Sequence, residues 1–543
     1  MELLGQKGAD LLNGTLQDVT PKTKGSAAVP MVRAELSVTV LAVGIVFVGV
    51  YLCFRDLALT GLTWDEWMDY SIARDFVQNQ SFLTNHDDPS QARLSHLLAA
   101  ASFALLGESY FAFKLPFVLA GLLGGAALWR FLSSQVRPVV AVLAAAMYFT
   151  CPYVLAASRT GATAGDALVL VTTMGFVITL YRWIQTNRFF PYGLACGIVC
   201  GLGIGAKWTN AVWFGSVGLA WLFEIRRQRR RLFDGPVWAG VLAHQWVAVA
   251  LAFFASPTLM LGYVFVKNAL NHSLMFTGMA LLQFGKLRAQ APWYYIPAVL
   301  VAKFAIPQLI VFGYELLLML VLWAKPRRKL GLLPVICLLS MFPMVPLATK
   351  GFQNAHYYLG SVPAVMILSA LAIERWLRRR SALGRRLILA LAALTATAQL
   401  GTAIWLSPDY LLAGRQFGKF FYSQFSGPVV NHCQGLPFAL REMNRLIGEP
   451  EAPKRAHLLR SCLGVMDHAI AHGPVVSLIP VTPYPTTGAK WEHFLIIPGS
   501  FDYDNLGEAE QQRFTTMKET ATADCNRVGR HSEDFELWWC PAR

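Results

Sequence analysis

Apolar runs long enough to cross a bilayer recur from residue 36 to residue 406, with short polar, charge-bearing turns between them. They fall at 36–54, 113–132, 138–157, 165–184, 190–206, 209–225, 237–262, 294–322, 331–348, 355–374 and 386–406. About 20 apolar residues suffice for a spanning helix, so the pattern predicts about eleven transmembrane helices. Between the first two runs the pattern changes. Trp64, Met68, Ile72 and Phe76 recur every fourth position among polar residues, the spacing of a helix with one apolar face lying at the membrane surface. Leu94–Leu106 is apolar but too short to span, and reads as a second interfacial helix.

Composition agrees with this reading: 55% of the 543 residues are hydrophobic and only 15% charged, against about a quarter charged in soluble chains. The net charge of +15 does not imply a nucleic-acid partner, because the basic residues sit in short inter-helix turns. Arg130 and Arg137, Arg182 and Arg188, Arg226 to Arg231, Lys325 to Lys329 and Arg375 to Arg386 all fall on one side of the alternating spans. Taking that side as cytoplasmic places the N-terminus inside and everything after residue 407 outside. The expected divisions are a cytoplasmic segment 1–35, a membrane domain 36–407 whose first outer loop is 55–112, and an extracytoplasmic domain 408–543. The first span carries no small-residue cleavage site and reads as a signal anchor. Four of the nine cysteines, Cys433, Cys462, Cys525 and Cys540, lie in the polar C-terminal region, which fits one or two disulfides outside the cytoplasm. Turn-rich Ile479–Pro485 beside β-prone His493–Ile497 points to a small mixed α/β domain there.

The candidate chemistry gathers on the outer face. Gly61-Leu62-Thr63-Trp64-Asp65-Glu66 follows the first span directly, so two adjacent carboxylates stand at a helix start beside the membrane. Thr63 and Glu66 also satisfy a capping box, and acids are favoured in a first helical turn. The remaining outer turns supply Arg159 and Asp166, Lys207, His272, Lys350 and His356. Ionisable residues at a membrane boundary are costly and commonly face a functional cavity. A carboxylate base near cations suits group transfer from a phosphate leaving group: the acid takes a proton from an acceptor hydroxyl while Lys, Arg or Tyr stabilises the departing phosphate. In a membrane the natural donor is a lipid phosphate, and a polyprenyl-phosphate sugar meets every condition. His86, Asp87 and Asp88 are weak candidates for a divalent metal, with a solvated turn favoured, and no other cofactor is implied. Trp293 and Tyr294 fit an interfacial aromatic belt or a sugar contact. Gly201-x-Gly203-x-Gly205 lies inside an apolar span, where close helix packing is favoured over a phosphate loop.

In order along the chain come Asp65-Glu66, Phe111-Ala-Phe-Lys114-Leu-Pro116, Arg159 to Asp166, Gly203-Ile-Gly-Ala-Lys207-Trp208, Pro292-Trp-Tyr-Tyr295 and His356-Tyr357-Tyr358 before Pro363. This colinear set resembles the GT-C membrane glycosyltransferases, more narrowly the protein O-mannosyltransferase and lipid A aminoarabinose transferase superfamily. The resemblance implies an all-α polytopic GT-C fold and an inverting transferase using a polyprenyl-phosphate sugar. Asp65 matches the catalytic carboxylate with Glu66 beside it, and Asp166 matches the second acidic position. Arg93, Lys114, Arg159, Lys207, Lys350, His356 and Tyr357 form the pool for phosphate contacts; His272, Trp293 and Tyr294 are candidate substrate contacts. The His-Pro-Pro-Leu or Lys-Pro-Pro-Leu element common in the family is replaced here by Asp88-Pro89-Ser90-Gln91-Ala92-Arg93. The implied partners are the lipid-linked donor, a protein, lipid A or glycan acceptor, and membrane lipids, in a bacterial inner membrane. A transporter or flippase for a lipid-linked sugar is the alternative, although inverted repeats are not apparent.

Overall fold

The computed structural model describes residues 28–57, 64–79, 94–160, 165–186, 188–207, 210–227, 281–283, 286–288, 295–323, 331–344 and 355–407. Toward the C-terminus it describes strands within 455–458, 478–480, 493–498, 525–531 and 535–540, with short helical pieces between 243 and 251 and between 512 and 523.

The described chain is mostly helical. Helix α1 runs Ala28–Phe54, α2 Trp64–Asn79, α3 Leu94–Leu106, α4 Tyr110–Leu132, α5 Pro138–Thr150, α6 Pro152–Thr160 and α7 Asp166–Thr186. A π-turn, Phe189–Gly193, leads into α8 (Leu194–Ala206), followed by α9 (Asn210–Arg227), α10 (Tyr295–Lys303), α11 (Ile306–Trp323) and α12 (Leu332–Met341). A 3-10 turn, Ala355–Ser361, opens α13 (Val362–Arg379), and α14 spans Ala382–Leu406. Among the described residues, five helices are long and apolar enough to cross a membrane, or six if the bent pair α5 and α6 is one span. Four shorter apolar helices accompany them. The protein is an integral membrane protein.

Helices are present at both places where short ones were expected between the first spans, as α2 and α3. Two runs read as single spans are broken. Residues 138–157 divide into α5 and α6, bent by 56°, because Pro152 removes a backbone donor and pushes the preceding Cys151 into extended geometry (φ −66°, ψ 116°). Residues 294–322 likewise divide at Phe304–Ala305 into α10 and α11, ahead of Pro307. The apolar run 237–262 lies almost entirely outside the described residues.

Close helix approach comes from small residues. A side chain at Gly49 of α1 would stand 2.7 Å from the Phe149 carbonyl of α5, so glycine is what allows those two helices to cross. Gly203 of α8 similarly abuts the Phe214 ring and Thr172, the packing role expected for the Gly201–Gly205 run. Most of the apolar core lies among α5, α7, α9, α12 and α13.

The helix ends sort into two chemistries. At one end Arg137 pairs with Glu35 at 3.3 Å and with Glu374 at 3.5 Å, Arg378 pairs with Glu374 at 2.8 Å, and Arg182 donates to Ser134. The end carrying α2 and α3 has its own core. There Tyr70, Ala73, Ala99, Ala100, Phe103, Phe113, Ala167, Leu168 and Ala206 pack together, bringing α2, α3 and α4 against the start of α7 and the close of α8.

Strands β1 (Leu281–Gln283) and β2 (Lys286–Arg288) form an antiparallel hairpin. Strands β3 (Arg455–Leu458), β4 (Leu478–Pro480), β5 (His493–Pro498), β6 (Asn526–His531) and β7 (Phe535–Cys540) form a mixed sheet in the order β4-β3-β5-β7-β6. Asn526 pairs with Trp539 in the ladder, so Cys525 and Cys540 lie at adjoining positions and form a disulfide. Cys433 and Cys462 lie outside the described residues. Cys53, Cys151, Cys196, Cys200 and Cys337 are buried free thiols, as expected for small core residues within spans.

Candidate functional site

The site is built where α2 and α3 lie across the helix ends. Helix α2 opens with its acids: residues 65, 66 and 69 fall within its first two turns, where the helix dipole favours negative charge. Asp65 is the second residue of α2, and its side chain is not among those described. Glu66 and Asp69 are buried, 3% and 5% exposed. Asp69 Oδ1 lies 2.6 Å from Nε2 of His96 on α3, joining the two helices through a buried acid–imidazole pair. One residue on, Tyr70 donates to Glu108 Oε1 at 2.8 Å, and Gln78 Nε2 donates to Glu108 Oε2 at 3.1 Å. Burial first, and the Glu108 carboxylate second, push the Tyr70 phenol well above its ordinary value, so it stays a neutral donor.

Pro116 fixes the neighbouring geometry. It leaves the Ala112 carbonyl without its usual intrahelical donor, and Ser102 of α3 donates to that carbonyl at 2.6 Å. Ser109 caps the same helix by accepting from the Ala112 amide at 3.1 Å. Lys114, one turn into α4, is 1% exposed.

Across the shared core, Asp166 begins α7 and Lys207 ends α8. Their side chains form an ion pair, Nζ to Oδ1 2.7 Å, with Asp166 1% exposed. Ala167 and Ala206, their immediate neighbours, pack in the same cluster as Tyr70 and Ala99. The acids of α2 and the Asp166–Lys207 pair therefore flank one core. Asn210 holds the turn after Lys207 by donating to the Gly203 carbonyl at 2.9 Å.

Arg159, at the end of α6, is buried and donates to the carbonyls of Leu52 at 2.9 Å and Arg55. It satisfies the orphan carbonyls closing α1, a structural task the sequence pattern does not reveal. His356 and Tyr357 lie in the 3-10 turn before α13, a turn that packs against α7; their side chains are not among those described. Arg93, Lys350, His272, Trp293, Tyr294, His86, Asp87, Asp88 and Thr63 lie outside the described residues. Among the described residues no group of three His, Cys, Asp or Glu side chains is placed to hold a metal.

Sequence reasoning missed Asp69, His96, Glu108 and Ser102. Asp69 carried a readable signal, since it stands four residues after Asp65 on one helical face. His96 sits in an apolar run with nothing to distinguish it from a core histidine.

The arrangement sets the buried carboxylates of α2 and the Asp166–Lys207 pair around one apolar cluster, a set of groups that suits proton abstraction near an anion. Residues 90–260 match the family model described as dolichyl-phosphate-mannose-protein mannosyltransferase. No curated protein sequence matches the chain. Among solved structures, ArnT from Cupriavidus metallidurans in the apo state is 14% identical, covers 92% of this chain and 97% of its own, and superposes with a TM-score of 0.49. The Archaeoglobus fulgidus oligosaccharyltransferase in the apo form is 13% identical over 87% of this chain and 70% of its own, TM-score 0.45. The Saccharomyces cerevisiae Pmt1-Pmt2 complex is 17% identical over 43% of this chain and 34% of its own, TM-score 0.34. The family-model match takes in residues 90–260, less than a third of the chain.

Proposed function

We propose that the protein transfers a sugar from a polyprenyl-phosphate-linked donor to an acceptor hydroxyl on the extracytoplasmic face, with inversion at the anomeric carbon and Asp65 as general base. One observation carries this reading: the acid-bearing start of α2 and the Asp166–Lys207 pair flank a single core, at the end of the bundle opposite the arginine-rich turns. The matched family is named for a dolichyl-phosphate-linked sugar, which is the donor chemistry that a base beside cations would serve.

Asp65 takes the acceptor proton as the hydroxyl attacks the anomeric carbon, and the bond to phosphate breaks with its electron pair left on the phosphate oxygen. Glu66 and Asp166 shape the site. Lys207, which pairs with Asp166, turns to the phosphate as charge develops there. Arg93, Lys114, Arg159, Lys350, His356 and Tyr357 complete the pool for that anion, and His272, Trp293 and Tyr294 are the candidate substrate contacts. The reading includes about eleven spans, a cytoplasmic segment 1–35, a membrane domain 36–407 and an extracytoplasmic domain 408–543. The Cys525–Cys540 disulfide supports placing the last of these outside the cytoplasm, and the clustered arginines support a cytoplasmic location for the opposite end.

The test is to offer the purified protein a panel of polyprenyl-phosphate sugars and measure released polyprenyl phosphate. Release from one donor class supports the reading. If a donor binds tightly, is never cleaved with any acceptor tried, and is instead moved across liposomes, the protein is a flippase.

A further inference from the structure

The turn between α13 and α14 carries more arginine than the ion pairs around it use. Arg375 pairs with Glu315 of α11 at 2.8 Å, and Arg378 pairs with Glu374 at 2.8 Å. Among the described residues no carboxylate stands within ion-pair distance of Arg380 or Arg385. These two are neighbours, since Arg385 Nε donates to the Arg380 carbonyl at 3.0 Å. Keeping positive turns on one side of a membrane needs only their charge; the place of this pair in the fold is more specific.

Both arginines stand at one end of an apolar cleft that lies on α13 between α11 and α14, each of which packs against α13. On α14 the cleft is lined by Ile388, Ala392 and Thr395, and Arg385, three residues before Ile388, is the next position on that helical face. On α13 it is lined by Ser369, Ile373 and Trp376, and Arg380 caps the helix one turn beyond Trp376. The Thr395 hydroxyl is already spent on the Leu391 carbonyl at 2.8 Å. Tyr314 of α11 packs its ring on Trp376 with centroids 5.0 Å apart and closes one side. Leu391, which also lines the cleft, is 52% exposed, and the helices carrying Trp376 and Leu391 are both long and apolar enough to span a membrane. The cleft therefore opens to the bilayer. From Arg385 to Thr395 it extends about 15 Å at the helical rise, half of the roughly 30 Å hydrocarbon thickness, which is the depth of one leaflet.

An apolar cleft open to the bilayer takes a lipid chain whatever the headgroup, and the arginines at its end decide which lipid is preferred. Guanidinium groups suit phosphate oxygens in charge and in geometry. We propose that the cleft binds an anionic phospholipid, with its phosphate at Arg380 and Arg385 and one acyl chain lying along Trp376, Ile388 and Leu391. The site stands at the end of the bundle opposite the Asp166–Lys207 pair and takes no part in the transfer chemistry, so it does not depend on that reading.

The experiment counts bound lipid by native mass spectrometry of the full-length protein in a neutral detergent, titrated with dioleoyl phosphatidylglycerol or with dioleoyl phosphatidylcholine. Wild type is expected to retain one phosphatidylglycerol at concentrations where phosphatidylcholine is lost. An arginine beside an anionic lipid is worth a factor of about five in affinity. Arg380→Gln and Arg385→Gln should each weaken binding by about that factor, and the double variant by about 25-fold. Arg380→Gln keeps the backbone carbonyl that Arg385 uses, so it tests the headgroup contact without opening the turn. Arg386→Gln removes the same charge from the same turn at a position about 100° around the helix from Arg385, and should leave affinity within about twofold. Dihexanoyl phosphatidylglycerol carries the headgroup on short chains and should bind about tenfold more weakly or worse. Equal retention of the two headgroups, or Arg386→Gln weakening binding as much as Arg385→Gln, would overturn the proposal in favour of diffuse surface charge. Short-chain lipid binding as tightly as the dioleoyl form would overturn it in favour of a site for free phosphate.

Discussion

Removing Lys207 leaves Asp166 charged and almost fully enclosed, and the consequence can be worked from the geometry. Opposite unit charges 2.7 Å apart attract by about 6 kcal/mol at an effective dielectric of about 20, and desolvation of both ions takes back much of that. What is lost on deleting one partner of a buried pair is about 3–5 kcal/mol, chiefly the cost of the stranded charge. The two partners are not equivalent: the Lys207 side chain is 14% exposed and that of Asp166 1%. Lys207→Met takes this ion-pair partner from the deeper charge and should cost about 3 kcal/mol or more. Asp166→Asn leaves an ammonium that reaches water, and should cost about 1–3 kcal/mol. The double variant strands no charge and should be more stable than Lys207→Met alone. Among the described residues five buried free thiols, including Cys196 and Cys200 on α8, report unfolding directly when a thiol-reactive fluorophore is added during a thermal ramp in detergent. The expected order of melting temperatures is wild type, then Asp166→Asn or the double variant, then Lys207→Met. Lys207→Met melting with wild type, or the double variant melting below it, would refute the reasoning.

Other outcomes follow from particular contacts. Gly49→Ala places a methyl group 2.7 Å from the Phe149 carbonyl, and should force α1 away from α5 at a cost of about 1–3 kcal/mol, seen as a lower melting temperature. Tyr70 holds its proton in the folded protein beyond the ordinary phenol range, so the unfolded chain loses that proton first and stability should fall as pH rises above about 10. Tyr70→Phe should flatten that fall, as measured by melting temperature against pH. The Cys525–Cys540 bridge closes a separation of 15 residues; Cys525→Ser should destabilise the C-terminal sheet by about 3 kcal/mol, read as faster proteolysis after β5.

Legibility of the fold depended on what each signal encodes. Period and length placed α2, α3, α4 and α14, with α4 and α14 starting three and four residues earlier than read, because apolar spacing and charge-bearing ends are local properties. The breaks at Cys151–Pro152 and at Phe304–Ala305 were missed because hydropathy averages over a proline, whereas the backbone cannot. Asp166 and Lys207 were readable as outer-face charges in a costly setting, but their pairing is a tertiary fact of α7 lying beside α8. His96 was illegible: a single histidine among leucines and alanines has no pattern, and only the partner 27 residues earlier gives it meaning. Arg159 shows the converse, a charge whose position invited a ligand role and whose contacts include the carbonyls closing α1.

The central claim is that Asp65 removes the acceptor proton at a site facing a lipid-linked sugar. Its most direct test is the single-turnover rate of sugar transfer from a polyprenyl-phosphate donor by wild type and by Asp65→Asn, each checked for donor binding and melting temperature. The account predicts donor binding and stability near wild type, with transfer reduced by about 10²–10⁴-fold. Transfer at the wild-type rate in a folded, donor-binding Asp65→Asn protein would contradict it.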